Sequence, residues 1–439
     1  QGLVVLDRLT EDSEEVGVAE WRNFEILLRM KRKRSRVAFT TLTLKKLPLF
    51  LAQKQGLTIK GRSPDDLQTC LDSLFGYPLP AGAWEASILP SRLTPYFPHW
   101  LDALMATSPL VWMGFEKQHI AFCFEDEVEL LRDGCPEGTE APEWFPNEPG
   151  RFTLLDLVAR TGKTSASVSK KLWDEAFKGR LTNDNMETLR KACLHKFKVV
   201  ETAQQSRSRR YASNRWNAQR PMQGHWFRLN FDFDNDPISS LERNKDRVRL
   251  LLERYGLLFK QLLDREIPQL RWGHLFRTMK LMELSGELIM GTFFEEIPGL
   301  QFTNHENLRA LSQPLNDTPI FWCAAKDPAS LCGMDLESVK RELPARQSNT
   351  YLVYHGTKVV VIAWKTGREL ELDFHPDSKE ASNYFEFFKT LLTREFNPIP
   401  KILVEHINGK PAIKSVYAKC LKEFGFIEQP KGLELWRQF

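Results

Sequence analysis

The sequence predicts a mainly α chain with α+β parts: tandem winged-helix domains followed by a C-terminal mixed α/β module. Three observations predict it. A plan of two helical stretches, a short polar turn, a third helix and two short strands around a hairpin recurs three times before about residue 315. From about Pro319 the texture changes to runs rich in Val, Ile and Tyr separated by two amphipathic helical stretches. Finally, 439 residues at 42% hydrophobic and 27% charged suit an ordinary folded chain of roughly three or four domains.

Residues 1–133 are expected to hold a helical region and the first winged helix. Basic and apolar residues are mixed through Trp21 to Arg36, and a further helical stretch lies near Leu44 to Gln53. Ser63-Pro64 is a helix start, since Ser can cap and Pro is tolerated in the first turn. Leu67, Leu71, Leu74 and Phe75 then recur at helical spacing. After Pro78 and Pro80 come Ala83 to Leu89 and His99 to Thr107, the latter with Trp100, Leu101 and Leu104 along one side. Leu110 to Phe115 and Ile120 to Phe122 close the unit as a hairpin. Gly134 to Gly150, with prolines at 136, 142, 146 and 149, reads as a linker.

The second winged helix is expected at 150–200. Thr153 can cap a helix ending near Arg160, Thr161 to Thr164 forms the turn, and Ser165 to Phe177 is the third helix. Val168, Leu172 and Ala176 make an inward stripe, leaving Ser165, Ser169, Lys170 and Lys171 to solvent or phosphate. Gly179 to Asn183 is too short to read as a wing. Residues 201–225 read as a basic linker: Arg207, Arg209, Arg210, Arg215 and Arg220 occur between Gln204 and Arg220 without an acidic residue. Tyr211 and Trp216 there could stack on single-stranded bases or tuck back onto a domain.

The clearest copy is the third, assigned to 226–315. Asp246 to Tyr255 and Leu257 to Leu263 read as helices, Arg271 to Ser285 as the third helix ended by Gly286, and Glu287 to Phe293 with Leu300 to Phe302 as strands around Glu295 to Gly299. Trp272, Leu275, Phe276, Met279 and Met282 read as core, with Arg271, His274, Arg277 and Lys280 opposite. In the C-terminal α/β module, 316–439, the expected strands are Ile320 to Ala324, Asn349 to Tyr354, Lys358 to Trp364, Glu369 to Asp373 and Lys401 to Glu405. His355-Gly356-Thr357 and Asn408-Gly409 supply turns. Helices at Ser378 to Arg394 and Ser415 to Phe424 would cover those strands without any ligand.

Lys plus Arg exceed Asp plus Glu by 61 to 57, a net +4, too little to define a nucleic-acid binder. Location matters more. Arg29, Lys31, Arg32, Lys33, Arg34 and Arg36 form one basic block, and repeated winged helices point first to nucleic acid, because a third helix can enter a groove while a hairpin grips the backbone. The candidate DNA contacts are Arg32, Lys33, Arg34, Lys170, Lys171, Arg207, Arg209, Arg210, Arg271, Arg277 and Lys280. Each could equally serve a solvated face. Lys, Arg and Ser suit phosphates more than base edges, so low sequence preference is expected.

Seven cysteines at 70, 123, 135, 193, 323, 332 and 420 form no CxxC pair and no Cys/His ligand spacing, so no metal is expected and a reducing cytoplasm fits. There is no cleavable apolar signal and no run near the roughly 20 apolar residues that span a bilayer. The opening Gln suggests a fragment of a longer chain. Gly162-Lys163-Thr164 imitates a phosphate-binding loop, but position 157 is Leu where Gly is needed, so no ATP hydrolysis is expected. Neither a nucleophile elbow nor a histidine triad is present.

Several blocks resemble the C-terminal region of the bacterial large helicase-related protein, the Lhr family of superfamily 2 DNA helicases. They are Leu79-Pro80-Ala81 with Trp84-Glu85, Leu89-Pro90-Ser91-Arg92 and Trp100-Leu101-Asp102; Phe152-Thr153-Leu154 with Val158 to Gly162; and Arg254-Tyr255-Gly256. Met282 to Glu287 with Ile297 to Phe302, Val353 to Gly356, Leu392 to Arg394 with Phe396 to Pro398, and Gly432 to Trp436 continue the likeness in order. The resemblance implies tandem winged helices beyond a helicase core, similar to winged-helix DNA glycosylases and associated with uracil removal. It implies no cofactor in this chain, with ATP and Mg confined to a presumed upstream core. The implied partners are single-stranded or forked DNA, that helicase core and a further copy of the chain, in a bacterial, nucleoid-associated cytoplasmic setting. Glu85 and Asp102 sit in the most family-like block and are the candidates for a catalytic carboxylate, with helix capping or surface pairing as their alternative roles. A non-catalytic scaffold that positions or oligomerises a helicase is the alternative reading.

Overall fold

The computed structural model describes residues 4–7, 15–35, 39–132, 144–197, 223–229 and 236–437, and the side chains of 7 and 31–35 fall outside that description. The connector with Arg207, Arg209 and Arg210 also lies outside it. An antiparallel hairpin, Val4–Asp7 with Gly17–Glu20, leads into helix Trp21–Ser35.

The first winged helix follows the expected plan. Helix Pro64–Asp72 starts in a capping box, Ser63 Oγ accepting from the Asp66 N–H while the Asp66 carboxylate accepts from the Ser63 N–H. A π-helical turn, Trp84–Ile88, continues into Leu89–Arg92, and the third helix is Pro98–Thr107. Strand His119–Phe124 pairs with Leu79–Pro80 on one side and Leu110–Phe115 on the other. The tight hairpin places Lys117 and Gln118 in the left-handed region, at φ 59° and 60°.

In the second unit, helices Leu154–Thr161 and Ser165–Phe177 stand where the spacing predicts them, joined by Gly162 at φ 63°. Two expectations change. Ser169 is buried, not solvent-facing. The wing exists, because Leu181–Asn183 pairs with Trp226–Arg228; its return strand lies beyond the basic connector, in residues expected to open the third unit. The second unit docks on the first through Trp112: its Nε1 donates to the Asn183 carbonyl at 2.8 Å and its carbonyl accepts from Thr182 Oγ1 at 2.7 Å. Gly114 permits this approach, since a Cβ there would stand 2.1 Å from the Ala176 carbonyl oxygen.

The third unit opens with one helix, Pro237–Tyr255, longer than the predicted Asp246 to Tyr255 because Asp236 caps it upstream. Leu257 to Leu263 is not a helix: Leu258–Phe259 is a strand and Lys260–Leu263 a single helical turn. Leu257, Leu258 and Phe259 are all buried, which erases the alternation that would mark the strand. Helix Trp272–Ser285 ends at Gly286, φ 87°, and Gln301–Thr303 lies between Leu258–Phe259 and Ile289–Gly291. The Gln301 side chain accepts from the Phe293 and Phe294 N–H groups at 2.9 Å and ties the wing down.

The C-terminal module joins a six-stranded sheet, from Ile320–Ala324 to Lys410–Pro411, with a three-stranded one in which Gly432–Trp436 is central. Helices Ala381–Thr393 and Ala418–Phe424 cover it. The units share cores. One cluster runs from Leu44 through the third unit to Tyr354, and another joins Trp84 and Trp112 to Trp173 and Trp226. Buried guanidinium groups fasten the seams. Arg92 holds Asp327 by two bonds of 2.7 and 2.8 Å and donates to the Gln55 carbonyl. Arg254 reaches Glu266 at 2.8 Å and the Phe75 carbonyl, and Arg247 takes the carbonyls of Glu129, Leu130 and Arg132. The planar five-donor fork suits arginine to such multi-acceptor seams.

Candidate nucleic-acid interface

A cleft of about 570 Å³ opens where the first wing, the second unit and the C-terminal module meet. The first wing contributes Lys117 and Gln118 from its tip. The turn after helix Met186–Leu194 contributes Lys196 and Phe197, and the C-terminal module brings Lys326 and Arg394. Among the described residues of the lining these four cations are the charged ones, and none is Asp or Glu. Burial lowers the pKa of Lys326, helped by the neighbouring Arg346, and burial also lowers that of Arg394. Partly desolvated cations act on an approaching anion through less intervening water than surface ones do.

The backbone marks the same place. Of the ten non-glycine residues at positive φ among the described residues, six line this cleft: Lys117, Gln118, Lys196, Phe197, Asn349 and Asn397. Such conformations cost energy and cluster at ligand sites. Arg394 closes one seam of the wall, donating to the Ala86 carbonyl and, through Nε at 3.0 Å, to that of Asn397.

Glu85 stands in the same π-helical turn as the lining residues Ala86 and Ser87, but it is buried and already bonded. Its carboxylate accepts from Arg190 Nε at 2.7 Å, Arg190 Nη2 at 3.0 Å and the Tyr96 hydroxyl at 2.6 Å. Arg190 also donates to Asp102 at 2.9 Å and to the Pro98 carbonyl at 3.0 Å. The two candidate carboxylates are therefore joined by a guanidinium from the second unit, which the sequence reading did not single out. Burial pushes the Glu85 carboxyl up, opposed by Arg190 and Tyr96.

Residues 43–131 and 238–319 each match a winged-helix domain of the large helicase-related protein. The two matched segments are similar to Lhr winged-helix domains and together make up less than half of the chain. Over 409 residues the chain is 25% identical to the Lhr helicase/uracil glycosylase of Escherichia coli (strain K12), covering 84% of this chain and 26% of that protein. Over 408 residues it is 24% identical to the Lhr helicase/probable uracil glycosylase of Mycolicibacterium smegmatis (strain ATCC 700084 / mc(2)155), covering 84% and 27%. The chain thus spans about a quarter of the length of these curated relatives. Among solved structures, the Streptomyces sahachiroi DNA glycosylase AlkZ aligns with 77% of this chain and 92% of its own, at 13% identity and a TM-score of 0.46.

The described cations expected from the sequence to contact DNA lie elsewhere. Lys170 is exposed on the third helix of the second unit, and Lys171 places its ammonium 5.5 Å from the Trp144 ring. Arg271 and Arg277 are exposed, with Arg271 Nε donating to the Glu266 carbonyl at 3.0 Å. Lys280 is half-buried, its ammonium 5.4 Å from the Phe276 ring. Phe276 is itself half-buried and not core, leaning on Trp272 at 5.2 Å. Arg32, Lys33 and Arg34 belong to helix Trp21–Ser35. The first unit's third helix, Pro98–Thr107, carries no Lys or Arg. Arg207, Arg209 and Arg210 lie outside the described residues, and among the described ones none of the sequence-derived DNA contacts lines the cleft. Its cations sit in loops and at element ends with no periodicity to reveal them, although Arg394 and Asn397 fall within a block that resembles Lhr.

Proposed function

We propose that this chain is a DNA-binding region of a larger DNA-repair helicase polypeptide and that it holds a DNA strand in the three-way cleft. The observation that carries this reading is the lining: four cations from three units around a space with no carboxylate among the described residues. Phosphodiesters are the matching chemistry, and contacts to phosphates carry no sequence information. The upstream partner in this reading is the helicase core of the same polypeptide. The expected outcome for Lys117→Ala/Lys326→Ala is at least a tenfold loss of affinity for single-stranded DNA at fixed salt, read by fluorescence anisotropy, since each lost phosphate contact removes its share of counterion release. Unchanged affinity would sink the assignment of the cleft.

A second reading, base excision, is favoured by the cleft's size. Its volume of about 570 Å³ falls within the roughly 300–1,000 Å³ of small-molecule sites, so it has room for an extruded base with its phosphate, as base-processing enzymes require. The relatives' names extend to uracil glycosylase. Incubation with uracil-containing single-stranded DNA, followed by alkaline cleavage at abasic sites, tests it. Strand breaks at uracil that disappear in the cleft variant support excision, and intact strands leave DNA binding as the function.

A further inference from the structure

The three-way cleft carries more than cations. Gln118, Gln347, Asn349 and Asn397 also line it, all four are exposed, and none of their carboxamides is bonded to another described residue. We infer that these carboxamides read the edge of a nucleobase held in the cleft, which makes the site base-selective, with cytosine the base it takes worst. This rests on the DNA-binding reading above and adds to it what the cleft selects.

Three of the four sit on a constrained backbone. Gln118, Asn349 and Asn397 stand at φ 60°, 64° and 47°, a region uncommon for residues other than glycine and concentrated at ligand sites. Their main-chain carbonyls are already used, accepting from the Ala81 N–H at 3.0 Å, the Thr366 N–H at 2.8 Å and Arg394 Nε at 3.0 Å. The carbonyls of Ala86, Cys193 and Lys326 are spent in the same way, on Arg394, the Lys196 N–H and Arg346. These main-chain acceptors therefore serve the fold. What the lining keeps for a ligand is the ammonium groups of Lys117, Lys196 and Lys326 and the carboxamides, which can present either an N–H or an oxygen.

The four bases ask different things of such a lining. Guanine N7 and O6 accept from lysine, adenine N7 and N6 pair bidentately with a carboxamide, and thymine O4 accepts from either group. Cytosine shows an N4 amino donor, whose matching partner is a carboxylate, and the lining has none among the described residues. Lysines on phosphates cannot draw this distinction, since every nucleotide carries the same phosphate. Phe197 is half-buried in the same wall and leans on Trp173 and Phe177 at 5.1 and 4.9 Å. It gives any base a ring to lie against, whatever its edge.

The test uses the full chain and short strands of abasic spacers, with a single central thymine, guanine, adenine or cytosine or with no base at all. The strand without a base measures the phosphate grip alone. Anisotropy with the unaltered chain should show the cytosine strand binding about fivefold or more weaker than the other three base-carrying strands. Asn349→Gly/Asn397→Gly keeps the left-handed backbone, which glycine adopts freely, and should erase the differences among bases while the spacer strand still binds. Asn349→Asp/Asn397→Asp, tolerated in the same backbone region, supplies the missing acceptor and should raise the cytosine strand relative to the other three. Thermal melts check the fold of both variants. Equal binding of the four bases, or a base other than cytosine in last place, overturns the inference and leaves the phosphate grip standing. A ranking that survives the Gly variant, or that the Asp variant does not move, means that the base is read elsewhere, and the inference fails. If Lys117→Ala/Lys326→Ala leaves all five strands unaffected, or if the unaltered chain binds none of them, both the inference and the cleft reading fail.

Discussion

At the scale of single residues, the buried arginines matter more for the fold than any candidate contact. Arg92 and Asp327 are both essentially inaccessible, at 1% and 0% side-chain exposure. Arg92→Ala therefore strands a buried carboxylate, and chemical denaturation should show a loss of about 3–5 kcal/mol. Replacing both partners, as Arg92→Met/Asp327→Leu, should recover much of that. Glu85 gives a pH signature. Burial raises its carboxyl pKa, so the folded state holds this proton more tightly than the unfolded chain. The stability it contributes is present below the ordinary carboxyl pKa and is lost as pH rises through the raised value. Melting curves of Glu85→Gln should accordingly fall less than those of the parent as pH rises above about 4.3, the ordinary glutamate value. Parallel curves would show that Glu85 does not titrate in the folded state. Sequence reading flagged Glu85 and Asp102 through their family-like block, but Arg190 was invisible to it. Nothing local in a helix such as Met186–Leu194 announces that one arginine will be buried against another unit.

At the scale of elements, the third helix of the third unit separates binding from stability. Arg277→Ala/Lys280→Ala should leave the melting temperature nearly unchanged, because neither side chain fills the core. Met279 is fully buried, and Met279→Ala should cost about 2–5 kcal/mol. Phe276→Ala should cost less than the roughly 3–5 kcal/mol of a fully buried phenylalanine, since part of its ring already faces water. A melt showing the charge pair to be the more damaging change would mean that this helix is oriented differently. Elements with clean periodicity were readable: Ser165 to Phe177, Lys358 to Trp364 and the third helices all lie where spacing puts them. What escaped was short or non-local. Leu258–Phe259 is hidden by all-round burial, the wing strand Trp226–Arg228 by its distance from Leu181–Asn183, and His406–Ile407 by having two residues.

At the scale of the whole molecule, the cleft was unreadable because it belongs to no segment. Lys117, Lys196, Lys326 and Arg394 come from four stretches of chain, and their strained neighbours are not glycines, so no turn motif marks them. The seam that fixes this geometry has a consequence in time. Arg92 and Asp327 are 235 residues apart, and at a synthesis rate of about 5–20 residues per second the partner is made roughly ten to fifty seconds later. Throughout that interval the Arg92 guanidinium has its first-unit partners, Gln55 and Ser91, but not its carboxylate, and the core beside it stays open until Tyr354 is made. The buried seam of the first unit therefore cannot be completed until residue 327 has been made.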